Sequence, residues 1–238
     1  FYSISVAMGI MIAYGSYVKK ETNLVKSVNQ IEIFDTLVAF LAGMMIIPAV
    51  FTFMGHEGLA ASGPALMFVA LPKVFAAMGS VVGTIVGILF FLTVAFAALT
   101  SSVSIMEAIV SCAMDKLHWE RKKAVLAVSA LAAVMGVVVC LGYNLFYFEA
   151  VLPNTPAGKN AQILDILDYL SNYILMPVVS IATCIFIGWI LKPKTVIDEV
   201  TYGGHKFGRE KLYVVMIKFV TPVLLTLLLL QALGLIKF

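Results

Sequence analysis

Apolar residues fall in long runs, and the breaks between them collect the polar and basic residues. A helix needs roughly 20 mostly apolar residues to cross a bilayer, so the pattern predicts five crossings and one shorter segment. The short segment covers residues 5–18 and ends at Lys19, Lys20 and Glu21. Crossings follow at 36–54, 81–114, 124–146, 166–191 and 212–236. Residues 56–80 are interrupted by Gly and Pro and are only moderately apolar, which predicts an external helical hairpin rather than a crossing. As a helix, 81–114 would be about 50 Å long, so it must tilt or protrude.

The basic residues give this pattern an orientation. Three loops hold Lys19, Lys20 and Lys26; Lys116, Arg121, Lys122 and Lys123; and Lys192, Lys194, Lys206, Arg209 and Lys211. The alternate loops and the end of the chain hold Lys73, Lys159 and Lys237, and Lys218 falls inside a crossing. Such a bias places the basic loops in the cytoplasm and the 62–80 and 149–161 loops outside, in a multi-pass protein of the inner or plasma membrane. Composition agrees: 62% of residues are hydrophobic and 12% charged, against roughly a quarter charged in soluble domains. A soluble enzyme, a disordered chain and a nucleic-acid-binding domain are excluded. Cys112, Cys140 and Cys184 each lie in an apolar run, and His56, His118 and His205 are scattered, so neither a disulfide framework nor a metal cluster is expected. The sequence opens FYSISVAMGIMIAYGSYV, with neither a starting methionine nor a charged leader, which predicts a chain that starts inside a helix of a longer protein.

Ionisable groups within crossings are candidates for function because burying them in hydrocarbon is costly. Asp35 opens the second apolar segment, Glu107 sits within the long run, and Asp165 and Asp168 open the fifth apolar segment, none with an evident basic partner one turn away. Helix-starting carboxylates that complement the positive helix end would also explain Asp35, Asp165 and Asp168. A hydroxyl cluster forms the second signal. Ala97, Thr100, Ser101 and Ser104 are spaced i, i+3, i+4 and i+7 and share one helix face. Hard oxygen ligands suit a hard cation, although on spacing alone close packing between helices is the better explanation. Ser3 to Gly9 mixes small and polar residues ahead of a half-length helix, as an unwound, ligand-lining backbone would; a chain beginning within an ordinary helix would look the same.

Together these segments resemble the second half of a neurotransmitter:sodium symporter, above all the bacterial amino-acid transporters. The resemblance is carried by SISVAMGIMIAYGSYV (3–18), AGMMIIPAVFTF (42–53) and FAALTSSVSIMEA (96–108), supported by LMFVALPKVF (66–75), LDYL (167–170) and YGGHKF with YVVMIKFVTP (202–222). It implies helices six to eleven of an all-α, five-helix inverted-repeat transporter: a broken sixth helix at 1–18, then 36–54, an external hairpin at 56–80, and 81–114, 124–146, 166–191 and 212–236. The broken-helix, mid-membrane geometry belongs to that family's known architecture and is carried over with it. The first half would be absent, and this chain alone is expected not to transport.

The same resemblance assigns roles. Ala97 through its carbonyl, Thr100 and Ser101 match the second sodium site, displacing the packing explanation; Ser3 and Asp35 match the first. Tyr2, Ser5, Met8, Ser102 and Ile105 match the substrate pocket. Met8, flexible and polarisable, stands where an aromatic residue is common and implies a roomy pocket for hydrophobic L-amino acids. Asp168 and Phe68 match the external gate, and Tyr17, Glu107 and Asp115 a cytoplasmic network. The arginine partners of both gates would lie in the missing half. Asp35 carries a carboxylate where relatives often have an amide, and Ala39 offers no hydroxyl, which predicts transport without chloride. The expected partners are Na⁺ as the coupling ion, an amino acid, the bilayer and the N-terminal half; no other cofactor and no nucleic acid are expected. Another sodium- or proton-coupled carrier of the same superfold, for a different small organic solute, is the alternative. A channel would need a continuous polar pore and an enzyme a nucleophile–base or metal constellation, and neither appears in the sequence.

Overall fold

A computed structural model describes residues 4–59, 66–148, 150–153 and 161–236. Nearly all of them are helical: α1 (Ile10–Tyr17), α2 (Leu24–Leu59), α3 (Leu71–Ala77), α4 (Ser80–Leu117), α5 (Arg121–Leu141), α6 (Ile163–Asp168), α7 (Met176–Ile185), α8 (Pro193–Val200), α9 (Glu210–Val215) and α10 (Thr221–Ala232). Wider π turns at Leu66–Ala70, Tyr169–Leu175, Phe186–Ile190 and Met216–Val220 join or extend several of these. Five continuous stretches are long and apolar enough to cross a membrane: Leu24–Thr52, Ser80–Leu117, Arg121–Leu141, Ile163–Ile190 and Glu210–Ala232. Their large apolar side chains are widely exposed, as on Leu89, Leu92 and Leu99 of α4. Hydrocarbon or another apolar protein surface, rather than water, suits such side chains.

One boundary lies several turns from the expectation, and one element is additional to it. The second apolar stretch starts at Leu24, not residue 36, because Asn23 caps it: Asn23 Oδ1 accepts from the Lys26 N–H at 2.9 Å. Residues such as Lys26, Gln30 and Glu32 look like loop in a hydropathy scan, yet they are good enough helix formers to extend α2 by three turns. Asp35 therefore lies within a helix and does not open one. The chain between the last two crossings also holds α8, which lacked the length to register as an apolar run.

The chain divides into two compact units, Ser27–Val103 on one side and Phe1–Lys26 with Ser104–Phe238 on the other. In the first, Val50, Leu71 and Val74 form a buried core with Ile46, Ala49 and Phe90 around it. Here α3 lies directly on the start of α4, and Gly83 makes that possible. A Cβ at Gly83 would stand 1.8 Å from the Phe75 carbonyl oxygen, so no other residue fits. The Phe75 ring meets Phe90 at 5.5 Å and Phe91 edge-on at 6.3 Å. In the second unit, Tyr169 is buried and its hydroxyl donates to the Ala232 carbonyl at 2.9 Å, one of the carbonyls the end of α10 leaves without a helical partner. His205 closes a loop contact there too: Asn23 Nδ2 lies 3.2 Å from its Nδ1, and its Nε2 lies 3.4 Å from the Glu21 carbonyl.

Candidate functional site

The opening strip begins with backbone outside the helical basin. Ser5 has φ 51° and Gly9 φ 81°, residues 4–9 form turns, and regular helix starts only at Ile10. The left-handed region is unfavourable for a non-glycine residue such as Ser5. A turn bond from Met8 N–H to the Ser5 carbonyl at 3.1 Å closes the strip, and Ala13 N–H reaches Gly9 O at 3.0 Å to start α1. Met8 lines an open recess with Gly9, Ile109, Cys112 and Ala113. That places it one to two turns beyond Ile105 on α4 rather than level with it. Tyr2 and Ser3 lie outside the described residues.

On α4 the hydroxyl cluster is continuous helix. Thr100 Oγ1 donates to the Phe96 carbonyl at 3.1 Å and the Ala97 carbonyl at 3.0 Å. Spending its proton on the backbone leaves the hydroxyl oxygen's lone pairs as acceptors. The Ala97 carbonyl and Thr100 Oγ1 thus form a pair of adjacent oxygens, with Ser101 one position further on the exposed surface of the helix. Ser102 instead bonds back to the Leu99 carbonyl at 2.8 Å. Asp35 is half-buried within α2.

Two residues expected at the external end are each set by a π turn. Asp168 is exposed at the junction of α6 with the turn Tyr169–Leu175, and the Asn172 amide donates to its carboxylate. Asp165 does act as a helix-starting acid, accepting from the Gln162 N–H at 2.8 Å. Burial pushes the Tyr143 phenol upward, and the Asp165 charge adds to that shift. Phe68, in the turn Leu66–Ala70, stacks on Phe91 of α4 with centroids 6.1 Å apart.

The best-connected group is at the other end of α4. Tyr17 of α1 donates to Glu107 Oε1 at 2.7 Å and lies 3.5 Å from the Ser111 hydroxyl; Tyr14, one turn earlier, bonds to Ser104. Ser104, Glu107 and Ser111 follow at i, i+3 and i+7, so one face of α4 receives both tyrosines. Glu107 is also gripped by Arg121, whose two terminal nitrogens meet its two oxygens at 3.0 and 2.8 Å. A tight reversal at His118 (φ 52°) turns the chain back so that the first residue of α5 faces Glu107. The paired side chains are unequally exposed, Arg121 at 57% and Glu107 at 19%. Asp115 is exposed two turns beyond Glu107 and takes no part in these bonds. Sequence reasoning found Tyr17 and Glu107 but missed Arg121. It sought a partner one turn away, whereas the partner stands fourteen residues on, across a three-residue loop.

Comparison with known proteins gives the family and the fold. The model of the sodium:neurotransmitter symporter family matches residues 1–237. An uncharacterized sodium-dependent transporter of Haemophilus influenzae is 34% identical over 227 residues, covering 94% of this chain and 46% of its own. One from Methanocaldococcus jannaschii is 31% identical over 238 residues, covering 95% and 43%. The crystal structure of MhsT in complex with L-phenylalanine superposes with a TM-score of 0.77 at 30% identity, over 94% of this chain and 48% of that one. The chain thus spans about half the length of the relatives it matches. Symporters carry solutes and do not transform them. With the family match running over nearly its whole length, the chain belongs to the sodium:neurotransmitter symporter family.

Proposed function

We propose that this chain is the part of a sodium-coupled carrier that supplies the second sodium site and both gates, and that the intact protein takes up hydrophobic L-amino acids by alternating access. The observation that carries this is the oxygen pair of Ala97 and Thr100, with Ser101 beside it, on a membrane-length helix of a family member. Neutral hard oxygens in a low-dielectric setting can replace the water that Na⁺ sheds. Bound Na⁺ shifts the carrier between its states only as far as it binds them differently. Ser3 and Asp35 are assigned to the first sodium site, and Tyr2, Ser5, Met8, Ser102 and Ile105 to the substrate pocket. The co-crystallised L-phenylalanine of MhsT supports a hydrophobic amino acid as cargo.

Asp168 and Phe68 are assigned to the external gate, and Tyr17, Glu107 and Asp115 to the cytoplasmic one, with the basic loops in the cytoplasm. Gating needs bonds strong enough to hold one face shut and exposed enough to break, which suits charge-assisted pairs at the helix ends. The remaining ligands and gate partners come from the first half of the same carrier. Asp35 supplies the fixed negative charge that would otherwise require chloride.

The test is uptake of L-phenylalanine by the full-length carrier in proteoliposomes. Uptake should require an inward Na⁺ gradient and persist when gluconate replaces chloride. Equal uptake with K⁺ outside would overturn sodium coupling, and loss of uptake in gluconate would overturn chloride independence alone.

A further inference from the structure

The sodium and gate assignments leave Lys218, a charge within a crossing, unexplained. Lys218 lies eight residues into the crossing Glu210–Ala232, in the π turn Met216–Val220. It is half-buried, and its stem rests on the other crossing: a Cβ at Gly188 would stand 3.4 Å from Lys218 Cγ and 3.4 Å from the Ile217 carbonyl oxygen. An ammonium within a crossing is costly without an anion or water to receive it. Among the described residues, Lys218 has no ion-pair partner within 4.0 Å.

Lys218 opens into a recess of about 550 Å³ formed where the Phe186–Ile190 turn, α8 and α9 meet. Lys192 and Lys194 at the start of α8 line it, as do Asp198 and Glu210. None of these five pairs with another within 4.0 Å among the described residues. Three ammoniums against two carboxylates leave the recess one positive charge in excess. Trp189 lines it as well, 60% exposed and edge-on to Phe219 at 6.1 Å. An exposed tryptophan at the end of a crossing marks the level of the lipid headgroups. The short α8 carries Val196 and Val200 on the side away from Lys194 and Asp198, as a helix lying in that interface does.

We propose that this recess binds the headgroup of an anionic glycerophospholipid of the phosphatidylglycerol type. The phosphate meets Lys218, Lys192 and Lys194, and the glycerol hydroxyls donate to Asp198 and Glu210. A single net negative charge balances the excess, and the acyl chains continue along the apolar faces of the two crossings. Choline headgroups have no hydroxyl or N–H to offer the carboxylates, and they bring no net charge.

Native mass spectrometry of the full-length carrier, purified in detergent with equal amounts of phosphatidylglycerol, phosphatidylethanolamine and phosphatidylcholine, tests this. Phosphatidylglycerol adducts should dominate, fall about fivefold in Lys218→Gln and persist in Lys218→Arg. The double variant Lys192→Gln/Lys194→Gln, altered only at the exposed rim, should lose them too and decides the matter if Lys218→Gln does not fold. Adducts unchanged in the neutralised variants, or phosphatidylcholine or phosphatidylethanolamine retained as well as phosphatidylglycerol, would overturn the proposal. Displacement of phosphatidylglycerol by millimolar inorganic phosphate would assign the recess to a soluble anion and overturn it equally.

Discussion

Replacing Thr100 by valine keeps the branched shape of the side chain and removes its oxygen. In the fold that oxygen serves the carbonyls of Phe96 and Ala97, at 3.1 and 3.0 Å. Both carbonyls still accept from backbone N–H groups one turn on, and threonine and valine differ little in helix propensity, so stability should move by only about 0.5 kcal/mol. A sodium ion would feel the change far more. An oxygen serving a full charge contributes about 1.5–3 kcal/mol, which at 1.4 kcal/mol per decade predicts about a 10- to 150-fold rise in the sodium concentration for half-maximal uptake. Thr93 supplies the control, because its hydroxyl donates to the Leu89 carbonyl at 2.8 Å two turns earlier on the same helix. Thr93→Val loses the same kind of bond without touching the proposed site. Phenylalanine uptake by the full-length carrier, titrated with Na⁺ at fixed ionic strength, separates the two. An unshifted sodium dependence in Thr100→Val, or an equal shift in Thr93→Val, would refute the ligand role.

Arg121→Gln removes the fork that holds both oxygens of Glu107 and should loosen the proposed cytoplasmic gate; in a carrier whose sole cysteine is Cys112, labelling by a thiol reagent from that side should speed up, and Arg121→Lys should recover part of the protection. Equal labelling rates in all three proteins would show that the pair holds nothing shut. Tyr169→Phe leaves the Ala232 carbonyl without its 2.9 Å donor and should cost about 1 kcal/mol, read as a lower midpoint in thermal unfolding of the full-length carrier; an unchanged midpoint counts against that bond. Gly83→Ala drives a Cβ to 1.8 Å from the Phe75 carbonyl oxygen and should cost about 3 kcal/mol or more, so that little folded carrier is recovered. Normal yield and stability would mean that α3 and α4 are not held this close.

Hydropathy made the membrane class and the approximate course of the chain legible, since runs such as 124–146 have no other stable setting. It misjudged ends, because a cap and not apolarity decides where a helix begins: one Asn23 side chain outweighs several polar residues in the first turns of α2. The hydroxyl face of α4 is visible as spacing, but spacing does not distinguish ligand from packing, and it is the likeness of FAALTSSVSIMEA to known carriers that favours the ligand reading proposed above. Arg121 stayed hidden because ion pairs across a helical hairpin depend on the loop's backbone, here a left-handed His118, which no side-chain pattern announces. Met8 shows the opposite case. Its membership of the strip was readable, whereas its place beside Ile109 and Cys112 depends on how α1 lies against α4.

The widened turns have a consequence for how such a chain tolerates change. Three of them end two residues before a proline: Leu66–Ala70 before Pro72, Tyr169–Leu175 before Pro177 and Met216–Val220 before Pro222. A proline ring collides with the carbonyl four residues back, which here belongs to Phe68, Tyr173 or Lys218, and an extra residue in the coil moves that carbonyl aside. Each inserted residue also advances the helix by about 100°, so the stripes above and below it are out of phase. Exchange of Pro222 for alanine would free the coil to tighten and swing Lys218 off its present azimuth, though the exchange lies a full turn away. Drift at these three prolines would thus act as a rotation of distant side chains, and selection can retune an aspect of the carrier's lining without altering any residue that lines it.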